Sequence, residues 1–170
     1  MDQVIKPKIV IVDENDNVIG SKDRGTLETN DIYRVSALWI TNTNGEILLA
    51  RRHRSKSHHP RKWGPAVAGT VEEGETYEKN IVKEAEEELG LNLNDFTFGP
   101  KLKTENEYKH FTQWYFSTLD KNIDEFKIQE DEVEEIKWFS KEELKRQQEE
   151  NAEEFLPSMK KYFDLFVPKF

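Results

Sequence analysis

The segment from Gly69 to Leu91 constrains this chain more than any other part of its sequence. It contains three acidic residues, Glu84, Glu87 and Glu88, at spacings of three and four. Residues at those spacings lie on one face of an α-helix, where like charges repel by about 0.2–0.5 kcal/mol per pair. A solvated acidic face is the alternative interpretation, although such a face would usually alternate acids with lysine. Carboxylate oxygens grouped this closely suit a hard divalent cation such as Mg²⁺, so the segment predicts a metal-binding helix.

Local signals also set the limits of this helix. Thr76 can cap its N-terminus, and Gly90 occupies the position where a left-handed residue commonly ends a helix. The apolar residues between them cover roughly 100° of arc, which predicts a helix with one face in the core. These apolar residues are Ile81, Val82, Ala85 and Leu89. The three acids fall on the adjoining arc, so the helix is expected to have a core side and an acidic side.

The segment resembles the Nudix box, in which glycine is followed by five residues, glutamate, seven residues and Arg-Glu-aliphatic-any-Glu-Glu-any-Gly-aliphatic. Every fixed position matches except the arginine, which is Lys83 here. The resemblance implies four metal ligands, which are the carbonyl of Gly69 and the carboxylates of Glu84, Glu87 and Glu88. It also implies that Glu75 supports the helix through the residue at position 83. Lysine keeps the positive charge but lacks the planar fork of arginine, and an ordinary exposed lysine is the alternative.

The acidic loop 130–135 is a second source of carboxylates. Many Nudix enzymes take a further acid from the loop before the last strand, and Glu132 is the candidate here for an extra metal ligand or general base. The resemblance therefore implies catalytic roles for Glu87, Glu88 and Glu132, with Glu88 or Glu132 accepting a proton from the attacking water. A solvated acidic loop is the alternative for 130–135.

The basic segment 51–56 is the predicted phosphate-binding part of the chain. Arginine suits phosphate because its fork donates two parallel charge-assisted hydrogen bonds, and Arg51, Arg52 and Lys56 are the candidates for substrate binding. Because side chains alternate along a strand, Arg51 and Arg52 are expected to point to opposite faces, so that only one reaches the ligand. A solvated basic loop is the alternative. We expect Trp63 to pack in the core and the nearby histidines to lie at the surface.

Composition excludes several classes of function. The formal charge of −9 argues against duplex nucleic-acid binding, which needs a basic surface. The chain contains no cysteine, so disulfides, thiolate metal sites and a cysteine nucleophile are excluded. Its first residues lack the apolar region of a signal peptide, and no apolar stretch approaches the roughly 18 residues of a membrane span. We therefore expect a cytoplasmic protein without a membrane partner.

The remaining pattern predicts strands around two short hairpins and further helices after the box. The β-branched run 8–12 and the run 18–20 predict an N-terminal hairpin, and Asn44-Gly45 predicts a second one. Further strands are predicted at 65–71, 96–104, 111–119 and 135–139. Ser140 opens a capped helix, and a terminal helix carries an apolar stripe. That stripe is formed by Phe155, Met159, Tyr162, Phe163 and Phe166.

Mixed strands and helices predict an α/β protein with an α/β/α sandwich. The resemblance implies the layered Nudix fold, with a mixed sheet and an N-terminal β-hairpin extension. We expect one domain over residues 1–170, with the extension at 1–31, the box at 69–91 and the C-terminal helices at 140–170.

Beyond the box, the chain resembles the Nudix branch related to isopentenyl diphosphate isomerase. The resemblance lies in 12–14, in 18–20 and in the basic segment 51–56 followed by Pro60 and Trp63. The isomerase needs a cysteine and two histidine metal ligands, and the matching positions here are Ala68, Tyr33 and Thr26. These residues cannot perform that chemistry, so the chain is expected to be a hydrolase related to the isomerase.

The predicted function is Mg²⁺-dependent cleavage of a diphosphate bond in a nucleoside diphosphate derivative or a related organic diphosphate. Mn²⁺ is a possible substitute cation. Two alternatives stay open, a noncatalytic module that senses a nucleotide and, with less support, an isopentenyl diphosphate isomerase. The predicted partner is a small-molecule diphosphate, and because Nudix proteins are often dimers a homodimer is an open alternative.

Overall fold

The computed structural model describes residues 5–167, so the parts of the predictions that cover residues 1–4 and 168–170 lie outside it. Within the described residues the chain forms nine strands and three α-helices. The strands are β1 Ile9–Val12, β2 Val18–Lys22, β3 Ile32–Thr41, β4 Ile47–Arg52, β5 Trp63–Pro65, β6 Val67–Thr70, β7 Thr97–Glu105, β8 Lys109–Thr118 and β9 Val133–Phe139. The helices are α1 Tyr77–Leu89, α2 Lys141–Glu150 and α3 Met159–Phe166.

Strand β3 organises the sheet, because four other strands pair with it. It runs parallel to β8 over its whole length and antiparallel to β1, β6 and β4 at successive positions along the opposite edge. Strand β4 in turn pairs with β5 and β9, while β7 pairs with β8 and β2 with β1. The sheet is therefore mixed, as the sequence predicts.

The helices cover opposite faces of this sheet. Helix α1 packs on one face, where Ile81, Ala85 and Leu89 join Leu38 and Tyr115 in a buried cluster. Helices α2 and α3 pack on the other face, over a second cluster. That cluster includes Ala37, Trp39, Trp63, Trp114, Leu144, Met159, Tyr162 and Phe166. The predicted α/β/α sandwich is confirmed, and so is the prediction that Trp63 packs in the core.

Both predicted hairpins form. Strands β1 and β2 make the N-terminal hairpin, and β3 and β4 are joined through Asn44 and Gly45. Of these two turn residues, Gly45 adopts a positive φ of 78° and Asn44 does not. The glycine alone supplies the left-handed conformation that the turn needs.

Two predicted elements differ from the structure. The prediction of one continuous strand over 65–71 is wrong. The chain forms two short strands here, since β5 ends at Pro65 and β6 begins at Val67. The first pairs with β4 and the second with β3, so the chain changes partner between them. Phe155 precedes the terminal helix and forms a bridge to Trp63, while α3 begins only at Met159.

The N-terminal hairpin is fixed to the start of α1 through Asp16. Its carboxylate accepts hydrogen bonds from Arg34 Nε at 2.7 Å, Lys101 Nζ at 2.6 Å and the Tyr77 hydroxyl at 3.0 Å. Tyr77 is the first residue of α1. Asp16 has a φ of 63°, a left-handed conformation that aspartate tolerates better than most residues.

The helices of the structure are short and amphipathic. Among residues 5–167, no helix combines the length and the apolar character needed to cross a membrane.

Candidate metal and diphosphate site

The caps and the core face of α1 fix the direction in which its acidic residues point. The Thr76 side chain accepts a hydrogen bond from the Lys79 backbone N–H at 3.1 Å, and Gly90 ends the helix with a φ of 60°. These are the two boundaries that the sequence predicts. Since Ile81, Ala85 and Leu89 are fully buried, the helix cannot rotate about its axis. Two of its acidic residues therefore point towards strand β6, Glu84 at Gly69 and Glu88 at Ala68, with Glu88 also near Glu132 in the loop before β9.

Glu84 lies directly against Gly69 of strand β6. A Cβ atom at Gly69 would stand 2.3 Å from Glu84 Cγ and 2.7 Å from its Oε1, so any side chain at this position would displace Glu84. The Glu84 side chain is 15% exposed. Burial raises the pKa of Glu84 to about 7, with Lys83 opposing the shift and Glu87 adding to it. The predicted carbonyl ligand Gly69 and the predicted carboxylate ligand Glu84 are thus neighbours.

Glu88 is the second acid that turns inwards. Burial raises its pKa well above the usual value, and the charges of Glu84 and Glu132 add to the shift. A hydrogen bond from the Ala68 backbone N–H and the charge of Lys56 oppose it. Glu87, by contrast, is exposed to solvent. The four predicted carboxylates lie near one another, with Glu84 and Glu88 inside and Glu87 and Glu132 at the rim.

The acidic residues are close without forming a closed cage. Within residues 5–167, no three Asp, Glu or His side chains converge on a single point as a preformed metal site would require. The residues nevertheless fit a hard divalent cation, because all the donors are oxygens.

Glu75 and Lys83, for which the resemblance implies a supporting role, form an ion pair beside this cluster. Lys83 Nζ lies 2.5 Å from Glu75 Oε1 and 3.1 Å from Glu72 Oε2. The other oxygen of Glu75 accepts hydrogen bonds from the Glu72 backbone N–H at 3.0 Å and from Asn80 Nδ2 at 2.9 Å. Lysine therefore reaches two carboxylates at the position where the motif has arginine.

Sequence reasoning did not identify Asn80 and Glu72 as parts of this support. Asn80 is fully buried, contacts Ser36 of β3 and donates to the Thr70 carbonyl at 3.1 Å. A signal was available, because Asn80 precedes Glu84 by four residues and so lies on the acidic arc of the helix. Glu72 offered no comparable signal, since it lies in the turn before the helix.

The basic residues divide between the two faces of the sheet, as alternation predicts. Arg52 is near Glu88 and Glu132, whose charges oppose the lowering of its pKa by burial. Lys56 makes an ion pair with Glu132 at the same place. Arg51 instead lies on the side of α2, 3.4 Å from Glu154 and 3.6 Å from a carboxylate oxygen of Glu135.

Arg51 is therefore separated from the acidic residues of α1. It lines a cavity of about 420 Å³ together with Phe139 and Phe155 of the opposite core. Of the three cations predicted to bind substrate, the structure brings Arg52 and Lys56 to the acidic cluster and leaves Arg51 outside it.

Comparison with known proteins decides the family. The model of the NUDIX domain matches residues 32–159, which is most of the chain. This chain belongs to the Nudix family. The match includes the box and β9, and it begins after the N-terminal hairpin.

Two relatives with similar sequences extend this assignment. An uncharacterised Nudix hydrolase of Yersinia pestis is 30% identical over 160 residues, covering 94% of this chain and 85% of the relative. An isopentenyl-diphosphate Delta-isomerase of Salmonella heidelberg is 31% identical over 91 residues, covering 52% of this chain and 50% of that enzyme. The chain is thus a Nudix hydrolase, of the class that acts on pyrophosphate bonds, with similarity to the isomerase branch.

Solved structures share the fold. A Deinococcus radiodurans protein has a TM-score of 0.71 at 25% identity, over 85% of this chain and 90% of that one. A MutT protein from Methanosarcina mazei has a TM-score of 0.67 at 21% identity, over 85% of this chain and 98% of that one. The second likeness concerns the fold alone.

Proposed function

We propose that this Nudix hydrolase cleaves the diphosphate bond of a nucleoside diphosphate derivative or a related organic diphosphate, with Mg²⁺ as its cofactor. The observation that carries the proposal is the pair of half-buried carboxylates on α1, Glu84 against Gly69 and Glu88 at the Ala68 backbone N–H, whose pKa values are raised by burial and by neighbouring acids. Such repulsion is costly unless a cation is bound between the acids. The nearby Arg52 and Lys56 then suit the phosphate groups of the ligand.

Each residue has a distinct role in this proposal. The Gly69 carbonyl with Glu84, Glu87 and Glu88 would hold Mg²⁺, and Mn²⁺ could replace it. The bound ion would supply charge neutralisation at the phosphoryl oxygens. Arg52 would orient the diphosphate, while Glu88 or Glu132 would accept a proton from the attacking water. Glu132 forms an ion pair with Lys56, which fixes the position of its carboxylate.

A noncatalytic nucleotide-sensing module is the second candidate. The substitution of arginine by Lys83 favours it, because lysine cannot hold a carboxylate through a bidentate fork. The contacts of Lys83 weaken that argument, since its ammonium group lies within 3.1 Å of both Glu72 and Glu75. Isomerase activity has less support, because Ala68 stands at the position of the required cysteine and the chain has no cysteine at all.

Turnover by the purified protein tests the proposal directly. It is incubated with Mg²⁺, Mn²⁺ or a chelator and a panel of nucleoside di- and triphosphates, dinucleotides, nucleotide sugars, coenzyme A and isopentenyl diphosphate. Phosphate release and product mass identify the bond that is cleaved. We expect hydrolysis of at least one diphosphate in the presence of metal and none in the chelator.

Two variants assign that turnover to the site. In Glu87→Gln/Glu88→Gln we expect the rate to fall by at least a hundredfold, which is the lower range for removing acid–base catalysis. The matched control is Glu86→Gln, an exposed acid on the same helix, and it should keep the wild-type rate. Ligand binding without turnover on any compound would instead favour the sensing module, and conversion of isopentenyl diphosphate to its isomer would favour the isomerase.

A further inference from the structure

Asn80 is a buried amide on the sheet side of α1, about one helical turn before Glu84. Its Nδ2 atom donates to the Thr70 carbonyl at 3.1 Å and to Glu75 Oε2 at 2.9 Å. The hydroxyl of Ser36 on β3 donates to its Oδ1 atom. Both N–H donors and the oxygen of this amide are therefore paired. The partners also fix the orientation of the amide, since a carbonyl and a carboxylate can only accept.

Glu75 is bound through both of its carboxylate oxygens, and each oxygen has a side-chain donor from α1. Lys83 Nζ lies 2.5 Å from Oε1, and Asn80 Nδ2 lies 2.9 Å from Oε2. The Glu72 backbone N–H also donates to Oε2, at 3.0 Å. Asn80 and Lys83 are three residues apart, a spacing that places both side chains on one face of a helix. Two side chains of the same helix thus bind one carboxylate together.

This arrangement divides between two residues a contact that arginine can make alone. A planar guanidinium donates two parallel hydrogen bonds to the two oxygens of a carboxylate, whereas a lysine ammonium is a point charge without that fork. The box has arginine at position 83, and this chain has Lys83 there. Lys83 reaches one oxygen of Glu75, and the side-chain donor on the other oxygen comes from Asn80. Asn80 therefore supplies the half of the fork that lysine lacks.

The contacts of Asn80 also reach the proposed metal ligands. Thr70, whose carbonyl accepts from Asn80, follows Gly69 in β6. Glu84 packs against Gly69, and it lies four residues after Asn80, so the two side chains are neighbours on the helix. The amide thus connects α1 to β6 beside the point where Glu84 meets Gly69, and it fixes the separation of these two ligands.

We propose that Asn80 is a positioning residue of the metal site and acts together with Lys83 in place of the motif arginine. The inference rests on the proposed Mg²⁺ site and identifies what holds the helix of that site on the sheet. Loss of the Asn80 amide allows Glu75 to turn and α1 to shift against β6, so the metal ligands separate. An arginine at position 83 can bind both oxygens of Glu75 again. The effect of Lys83→Arg therefore depends on whether the amide of Asn80 is present.

Mn²⁺ binding tests the proposal without turnover. The proteins are the wild type, Asn80→Ala, Lys83→Arg and the double variant, and the electron paramagnetic resonance signal of free Mn²⁺ gives the affinity. We expect Asn80→Ala to weaken Mn²⁺ binding about tenfold, the lower range for losing a hydrogen-bond partner that supports a metal ligand. Lys83→Arg alone should change the affinity less than about threefold. The double variant should bind Mn²⁺ more tightly than Asn80→Ala by about threefold or more, because residues of one hydrogen-bond network couple.

Ser36→Ala is the matched control, because it removes the other side-chain partner of Asn80 and leaves Glu75 untouched. Lys83→Arg should recover none of the affinity that Ser36→Ala loses. If Asn80→Ala does not fold, Asn80→Leu takes its place, since leucine has the same branched shape without a donor. Equal effects of Lys83→Arg with and without the amide would overturn the proposal, and so would recovery in the Ser36→Ala background.

Urea unfolding in a chelator separates this inference from the proposed function. The midpoint of Asn80→Ala should lie below that of the wild type, and Lys83→Arg should raise the midpoint more in the Asn80→Ala background than in the wild type. A wild-type protein that bound no Mn²⁺ would contradict the proposed function, while the midpoints would still decide whether Asn80 and Lys83 act together. Coupled midpoints with an unchanged Mn²⁺ affinity would give Asn80 a role in the fold alone and overturn its role at the metal site.

Discussion

Asp16 and Glu88 are both carboxylates enclosed by the protein, but their surroundings have opposite charge. Asp16 receives Arg34, Lys101 and the Tyr77 hydroxyl, and these hydrogen bonds outweigh burial and lower its pKa. Glu88 lies among other acids, and burial together with Glu84 and Glu132 raises its pKa. The two residues are linked to opposite ends of one helix, because Asp16 contacts Tyr77 at the start of α1 and Glu88 lies in its last turn.

The comparison shows how one acidic chain builds two kinds of anionic site. Around Asp16 the protein supplies the positive charge itself, so the carboxylate stabilises the fold. Around Glu88 burial and the charges of Glu84 and Glu132 outweigh the nearby Lys56, which lowers stability and leaves the site suited to a cation from solution. Stability and function are therefore expected to respond in opposite directions to the loss of these two charges.

The largest expected effect comes from Glu88→Gln. Its hydrolysis rate should fall by about 10²–10⁴-fold, the usual contribution of a general acid or base. The free energy of unfolding should stay the same or rise by about 1 kcal/mol, because neutral glutamine removes repulsion at a functional site. Steady-state rates and urea denaturation in a chelating buffer measure the two quantities. A variant that lost both activity and stability would show that Glu88 supports the fold as Asp16 does.

Asp16→Asn is expected to show the opposite pattern. Asparagine also tolerates a positive φ, so the change removes the charge and keeps the turn. The free energy of unfolding should fall by about 2–3 kcal/mol, because hydrogen bonds to a charged group are lost and two cations are left without their anion. Urea denaturation measures this. The control is Glu14→Gln in the same turn, whose acid is 67% exposed and whose loss should cost less than about 1 kcal/mol.

The pH dependence of that loss sharpens the comparison. Since the pKa of Asp16 is lowered below its ordinary value of 3.8, its charge contributes stability above pH 3.8. That contribution is lost as the pH falls through the lower pKa of the folded state. The difference in unfolding free energy between wild type and Asp16→Asn should therefore be constant from pH 5 to 7 and shrink below about pH 4. A difference that persisted unchanged at pH 2.5 would mean that the Asp16 charge is not its source.

Lys83→Arg should have the smallest effect. It introduces the motif residue, but the lysine already reaches both Glu72 and Glu75. We expect activity within about threefold and stability within about 0.5 kcal/mol of wild type, the scale of one partly exposed ion pair. Lys79→Arg, at an exposed position of the same helix, is the control for arginine itself. A gain of more than tenfold in rate, absent from the control, would show that lysine leaves the helix poorly supported.

The sequence predicted the elements whose causes are local. Thr76 and Gly90 mark the ends of α1 because capping depends only on neighbouring residues. Alternation along β4 likewise predicted that Arg51 and Arg52 would separate, since it follows from the geometry of a single strand. The family resemblance supplied the layered fold, which local pattern could only suggest.

Features that depend on distant pairing were not predictable in this way. The break at Ala66 exists because β5 and β6 pair with different strands. Gly64-Pro65 signals an interruption, but it does not indicate which strand each side pairs with. Asp16 looks like an ordinary turn residue, and its partners Arg34, Tyr77 and Lys101 are 18, 61 and 85 positions away. Sequence spacing carries no information about such contacts.

The hairpin of β1 and β2 has a practical consequence for anyone who shortens this protein. The family match begins at residue 32, and a fragment cut there would look complete by homology. It would lose Val10 and Val12, which cover Ile32 and Val71 in a small core of their own. It would also free the edge of β3 that β1 occupies, and exposed strand edges recruit other chains. The trimmed protein is therefore expected to aggregate during expression, because the hairpin covers this edge in the full chain.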